Sequence, residues 1–366
     1  MRSATGATSA IAPQRATNAP TPWRCDVVGT FAWRTCTDRW PSIVRSLARD
    51  VPAHTIALER LASEIESGVV SVLGGVDEDV RFDAVYDWRG KPWTALPWYL
   101  GEAWLYARIR AAVGYRHHRR DPFRAAKARE EAGLTDGDNA HDPDPLASAL
   151  WRSLWGNRGD LSLPSAKAHT QTSVSELLVD NRDAAIGWLR VARHVVIMLD
   201  NAGGELFADL QLARALADRG VRVTLLAKDV PYFVSDALPA DVFIARRRLA
   251  RDVRVDVVTD PYMTGPGFLH TSFMPPRLRS LLTQADVVIA KGDCTYRRLT
   301  QDAPYRAADV RAFDDVVDVG ARLVCLRTLK AEVLVGASVA ACEAAAAVDH
   351  AWLTSGRFGV VQCVER

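Results

Sequence analysis

Two oxygen-bearing side chains, Asp200 and Asn201, follow the apolar run Val195 to Leu199 and precede the glycines Gly203 and Gly204. Leu206, Leu210, Ala213 and Ala217 then recur at helical spacing, so VVIMLDNAGGELFADLQLARAL (195–216) reads as strand, turn and helix. A carboxylate and an amide therefore stand at a strand's carboxyl end, the edge at which open α/β sheets bind ligands, facing the free N–H groups of the next helix. That setting suits a hard metal ion and a phosphate together. Taken alone, the same residues would also serve as an Asx turn with helix caps.

Further chemistry collects at matching positions downstream. Other apolar runs end on Asp260, on Lys291-Gly292-Asp293 and on Arg327-Thr328-Leu329-Lys330, while Ser235 and Asp236 follow the pair Phe233-Val234. Parallel strands put all their carboxyl ends on one side, so acids and bases from distant segments converge there, as metal-assisted phosphoryl chemistry requires. Carboxylates would hold the metal, and Lys and Arg the phosphate oxygens. Asp236 alone would also serve as a helix cap.

The positioning elements differ between the two halves. Beyond 195, β-branched runs at 195–200, 221–228, 253–260, 286–293, 321–328 and 358–364 alternate with amphipathic helices at 204–219, 276–284 and 337–352. This alternation predicts an α/β fold, a mostly parallel, doubly wound, Rossmann-like three-layer sheet. Nine of the eleven tryptophans precede residue 160, and helices are expected at 54–69, at 96–115 and from Thr35 with a break near Pro41. The division expected is a disordered Ala/Thr/Ser/Pro-rich tail at 1–22, a mainly helical region at 23–174 and an α/β catalytic domain at 175–366. Irregular stretches are expected around 133–145 and at LWGNRGDLSL, 154–163.

Composition excludes several classes. With 366 residues, 48% hydrophobic and a formal charge of +2, the chain can bury a large core and carries no overall field for nucleic acid or anionic membrane. The basic run RRRLARDVR (246–254) has few interleaved aromatics and is expected as a solvated helix face. No apolar run approaches the ~20 residues that span a bilayer. The six cysteines form no C-x-x-C and have no closely spaced His partners, so neither zinc nor a disulfide framework is indicated, and a cytoplasmic protein is expected. Neither G-x-G-x-x-G nor G-x-x-x-x-G-K-[ST] occurs, which removes the usual dinucleotide and P-loop readings.

The ordered segments LDNAGGELFADL, PYFVSD, KGDCTYRRL and RTLKAEV, with GTFAWRTCTDRWP, LPWYLGEAWLYAR, DPFRAAKA and LWGNRGDLSL upstream, resemble the damage-control phosphatase family, in its subfamily with an Arg-Thr-x-Lys motif. Members are also described as acidic-residue methyltransferases. The resemblance runs from about residue 29 to 336 and implies a helical N-terminal region on an α/β sheet domain. It implies metal ligation by Asp200, Asn201 and Asp236, and substrate contact by Asp293, Tyr296, Arg297 and Lys330. Cys294 and Thr295 stand where the family usually has Leu and Asn, inside the same substrate segment, and Gly204 replaces a residue that is often bulky. Thr offers a shorter hydroxyl than the Asn amide, which would alter the reading of a sugar.

The function this predicts is a divalent-metal-dependent phosphatase for small phosphorylated metabolites, with fructose 1-phosphate or fructose 6-phosphate implied by the family. Asp200 and Asp293 are the expected catalytic residues, Asp293 positioning the nucleophile or the sugar, and Arg297 and Lys330 clamp phosphate oxygens. The expected ion is Mn²⁺ or Mg²⁺, which suit oxygen ligands, with Co²⁺ or Ni²⁺ as further choices. Two rival readings are S-adenosylmethionine-dependent methylation of protein carboxylates, for which no glycine-rich donor loop is evident, and a non-catalytic metabolite-binding protein.

Overall fold

The computed structural model describes residues 21–71, 80–132, 134, 142–156, 176–305 and 313–365. Nearly all of the 1–22 tail and the 157–163 part of the LWGNRGDLSL loop lie outside the described residues, as does most of 133–145.

Seven strands form one sheet: β1 Leu177–Asp180, β2 His194–Met198, β3 Arg222–Ala227, β4 Asp256–Thr259, β5 Val287–Lys291, β6 Leu323–Thr328 and β7 Gly359–Val364, in the order β1-β7-β6-β5-β2-β3-β4. β2 to β6 are parallel, with Val195 paired to Val223 on one side and to Val287 on the other. β7 runs antiparallel to β6 and carries β1 parallel to itself, so the sheet is mixed at that edge.

Each central strand alternates between two cores, as its pleat requires. Val196, Met198, Val288 and Ala290 pack with helices Pro276–Thr283 and Gly292–Leu299 on one face. Val195, Ile197, Leu199, Val287 and Ile289 pack with helices Pro145–Trp155, Arg182–Val191, Gly204–Ala217 and Pro239–Arg246 on the other. Unbroken apolar runs such as VVIML, 195–199, are what a strand covered on both faces needs.

A third core joins helices Trp40–Asp50, Thr55–Ser67 and Trp98–Ala112 through Trp40, Leu58, Leu61 and Trp104. It takes in Tyr232 and Ala331, so the helical region is packed onto the loops at the sheet's carboxyl edge. The break expected near Pro41 falls earlier: Thr35–Arg39 is a π-helix, and Pro41 sits in the first turn of Trp40–Asp50, where its missing N–H is tolerated. The basic run leaves its helix at Arg246, and its charges pair as Arg246 with Asp252 and Arg251 with Asp218. No helix among the described residues is long and apolar enough to cross a membrane.

Candidate active site

Four loops at the carboxyl edge of the sheet meet around one cavity lined by Asp200, Asn201, Ser235, Asp236, Asp293, Cys294, Arg297 and Lys330. The helical region supplies Phe31, Arg39, Trp98, Glu102 and Tyr106 to the same wall. The loops after β2 and β3 are tied together by an antiparallel bridge between Asn201 and Asp236. In it Ala202 N donates to Ser235 O at 2.7 Å, and Ala237 N to Asp200 O at 2.8 Å. Just before this bridge Phe233 adopts a φ of 50° and stacks on Tyr106 at 4.9 Å, which turns its ring into the cavity wall.

Asp200 is pressed against the backbone of β5's end. A Cβ on Gly292, whose φ is +79°, would lie 1.8 Å from Asp200 Oδ2. Only glycine tolerates both that dihedral and that approach. The Asn201 amide is oriented on both sides: Nδ2 donates to Asp200 Oδ2 (3.0 Å) and Glu205 Oε2 (2.9 Å), and Oδ1 accepts from Ser235 Oγ (2.6 Å).

The acids are buried and backed by buried cations. Burial, then the neighbouring Glu205 and Asp236, push the Asp200 carboxyl well above the usual carboxylate range. Burial likewise raises Asp236 to about 6, against the pull of Lys228. For Lys228 burial works against the charge, but Asp236 and Asp200 outweigh it and hold the ammonium above its usual range. Lys228 Nζ lies 3.1 Å from Asp236 Oδ2 and donates to Leu199 O at 2.6 Å. Lys127, from helix Arg124–Glu131, donates to Asp236 O at 2.7 Å, and Lys291 pairs with Glu205 and Asp209 at 3.2 and 3.1 Å.

The predicted substrate residues separate into two groups. Asp293 and Lys330 lie on the cavity wall, and Asp293 Oδ1 accepts from Arg327 Nε (2.8 Å) and from Lys330 N (3.0 Å) and lies 2.7 Å from Arg327 Nη2. These contacts fix the direction of the carboxylate. Cys294 also lines the cavity, whereas Thr295 is buried outside the lining set. Tyr296 is turned into the core, stacked on Phe313 at 5.4 Å with its hydroxyl accepting from Val335 N at 3.0 Å. Arg297 reaches the wall, but its guanidinium donates to Glu102 at 2.6 Å and to Asp302 at 2.7 and 3.2 Å, and lies 3.6 Å from the centre of the Trp98 ring.

Sequence reasoning did not single out Glu102, Arg39, Lys127, Lys228 or Glu205 for the site, and it placed Arg327 at the sheet edge without naming Asp293 as its partner. Arg327 belongs to the RTLK segment and Lys228 ends a predicted strand, which were available signals. Glu102 and Arg39 sit on helices whose approach to the sheet no local pattern reveals.

The donors at the site suit a hard cation: two carboxylates and an amide, with Asp236 buried on the cavity wall and, among the described residues, its Oδ2 paired only with Lys228 Nζ. No group of three or more His, Cys, Asp or Glu among the described residues is arranged to hold a metal ion.

Residues 35–344 match the family model described as the damage-control phosphatase ARMT1-like domain. The chain is 28% identical to damage-control phosphatase ARMT1 of Danio rerio over 74% of each chain. It is 28% identical to the Bos taurus protein of that name, over 92% of this chain and 96% of the relative. A solved DUF89 family protein from Pyrococcus horikoshii is similar at a TM-score of 0.48 and 14% identity, covering 83% of this chain and 97% of its own.

Proposed function

Because the chain belongs to the damage-control phosphatase ARMT1-like family, we propose that it is a divalent-metal-dependent phosphatase of small phosphorylated metabolites, sugar phosphates such as fructose 1-phosphate and fructose 6-phosphate among them. The observation that carries this reading is the meeting of Asp200, Asn201, Asp236, Asp293 and Lys330 in one cavity from four separate loops. Asp200, Asn201 and Asp236 would hold Mn²⁺ or Mg²⁺, with Co²⁺ or Ni²⁺ as alternatives, and the bound ion would supply charge neutralisation at the phosphoryl group.

The remaining work falls to the chain's own residues. Lys330 offers an ammonium to phosphate oxygens, and the free N–H groups opening helix Gly292–Leu299 face the same side. Asp293, held by Arg327, positions the attacking oxygen or a sugar hydroxyl. Trp98, Tyr106 and Phe233 wall the cavity with aromatic surface, which limits water around the reacting ester. Lys228, behind Asp236, keeps that carboxylate ionised without lying on the cavity wall. The six cysteines are all free, which supports the expected cytoplasmic setting.

The test is phosphate release from a panel of phosphometabolites with Mn²⁺ or Mg²⁺, with and without EDTA, run beside a methyl-transfer assay with S-adenosylmethionine. Metal-dependent phosphate release is expected. Release undiminished in excess EDTA would remove the metal from the reading, methyl transfer without release would favour the methyltransferase, and neither activity would favour a binding protein.

A further inference from the structure

Glu205 is buried behind Asn201 and does not line the cavity. It stands in the first turn of helix Gly204–Ala217, four residues before Asp209, and this spacing sets both carboxylates on the face met by Lys291 at the end of β5. Its two oxygens are divided: Oε1 lies 3.2 Å from Lys291 Nζ, and Oε2 accepts from Asn201 Nδ2 at 2.9 Å. Lys291 is held in turn by Asp209, 3.1 Å away, and by the carbonyl of Ser153. Of the three proposed metal ligands, Asn201 alone has two different ends: its carbonyl oxygen can bind a cation and its NH₂ cannot. Ser235 Oγ, which donates to Oδ1 at 2.6 Å, could as readily accept from an amide turned end for end, whereas a carboxylate oxygen only accepts. Asp200 Oδ2 also accepts from Nδ2, at 3.0 Å, but Asp200 belongs to the proposed ligand set itself, and Glu205 is anchored outside it by Lys291.

Resting on the metal reading of Asp200, Asn201 and Asp236 above, we propose that Glu205 is a positioning residue for the metal site: it holds the Asn201 N–H groups inward and so leaves Oδ1 as the end offered to a hard divalent cation. Lys291 sets the polarity of this arrangement. With glutamine at 205, the new NH₂ is repelled by the Lys291 ammonium and turns to Asn201, which must then present Oδ1 to it and its own NH₂ to the ion. Partners that orient a ligand in this way are typically worth about 10- to 100-fold in metal affinity.

The experiment measures Mn²⁺ binding by calorimetry to the substrate-free full chain in wild type, Glu205→Gln, Asn201→Asp and the double variant, with thermal melting alongside. Glu205→Gln is expected to fold, because Lys291 keeps Asp209 and the Ser153 carbonyl, and to bind Mn²⁺ about 10- to 100-fold more weakly than wild type. An aspartate at 201 has oxygen at both ends, so in the Asn201→Asp background the same substitution is expected to cost no further affinity. An equal loss in both backgrounds, as the missing charge alone would give, overturns the proposal, and so does undiminished affinity in Glu205→Gln. The second readout is independent of the ion: the side-chain amide protons of Asn201 in metal-free, ¹⁵N-asparagine-labelled protein, whose nuclear Overhauser contacts are expected to be stronger to the Glu205 γ-methylene than to the Ser235 β-methylene in wild type, and the reverse in Glu205→Gln. Stronger contacts to Ser235 in wild type overturn the proposal even where Glu205→Gln does not fold. If wild type binds no Mn²⁺, the metal reading fails instead, and these contacts decide the role of Glu205 by themselves.

Discussion

Replacing Gly292 by alanine tests whether the site depends on Asp200 lying against the backbone of the KGD segment. The new Cβ would stand 1.8 Å from Asp200 Oδ2 and 2.1 Å from its Cγ, at a φ of +79°. Ordinary contact is about 3.5 Å, so the carboxylate must retreat by roughly 1.7 Å. An L-residue in the left-handed region costs roughly 1–2 kcal/mol, and separating Asp200 from the Asn201 amide removes a hydrogen bond worth about 1 kcal/mol. Together these predict a loss of about 2–3 kcal/mol and a melting temperature lower by roughly 3–4 °C. Activity falls further, because a misplacement of ~1 Å at a reacting centre costs on the order of 10²-fold. Gly187→Ala is the control: this glycine lies inside helix Arg182–Val191 with nothing within 4 Å of a new Cβ, so alanine there stabilises by about 0.5–1 kcal/mol. The measurements are thermal melting, calorimetric Mn²⁺ affinity and phosphate release on both variants. Wild-type Mn²⁺ affinity in Gly292→Ala, with the expected loss of stability, would refute Asp200 as a metal ligand.

Arg297→Ala strands two buried carboxylates, Glu102 and Asp302, so it is expected to destabilise by about 3–5 kcal/mol, seen as a lowered melting temperature; a raised KM with unaltered melting would make Arg297 a substrate ligand after all. Lys330→Ala is expected to raise KM and, because the side chain is buried on the cavity wall, to cost about 1–3 kcal/mol of stability as well; a lowered melting temperature with an unaltered KM would make Lys330 structural. Asp236 takes its proton more tightly in the metal-free fold, with a pKa pushed up to about 6 by burial, so its contribution to stability is fully present below about pH 4 and is lost as pH rises toward 6. Metal-free Asp236→Asn is expected to flatten that part of the stability profile in denaturant titrations, and an unchanged slope counts against it. Since metal binding needs the ionised carboxylate, Mn²⁺ affinity should fall steadily as pH drops below about 6, which calorimetry over pH 5 to 7 reads directly.

The fold was legible where each segment states its own period. The runs that became β2, β3, β5 and β6 are apolar on both faces, and their alternate residues fall into two separate cores. The polar residues that close them, Asp200, Asn201, Asp293 and Lys330, reach one cavity because parallel strands share a carboxyl edge. What was not legible depends on long-range pairing. FGVVQCV reads as a strand, but nothing in it states that it pairs antiparallel with β6. Arg297 has the residue type of a phosphate clamp, and only the packing of helix Trp98–Ala112 brings Glu102 to its guanidinium. Spacing within KGDCTYR treats Cys294, Thr295 and Tyr296 alike. The helix they form, Gly292–Leu299, puts Cys294 on the cavity wall and turns Tyr296 into the core beside Phe313.

The pattern behind the acids has its own consequence. Asp236 is gripped from two directions, by Lys228 of the sheet and by Lys127 of the helical region, whose ammonium also pairs with Asp121 and Asp241. Asp241 in turn accepts from Leu238 N at 2.9 Å and so fixes the turn that follows Asp236. A buried ammonium with several charged partners exacts a large desolvation cost unless every partner stays in place. The helical region therefore does more than cover the sheet edge: removing Lys127 takes a cation from the buried Asp241 and the half-buried Asp121 and frees the backbone carbonyl of Asp236, a proposed metal ligand. The position of that ligand thus depends on the docking of helix Arg124–Glu131.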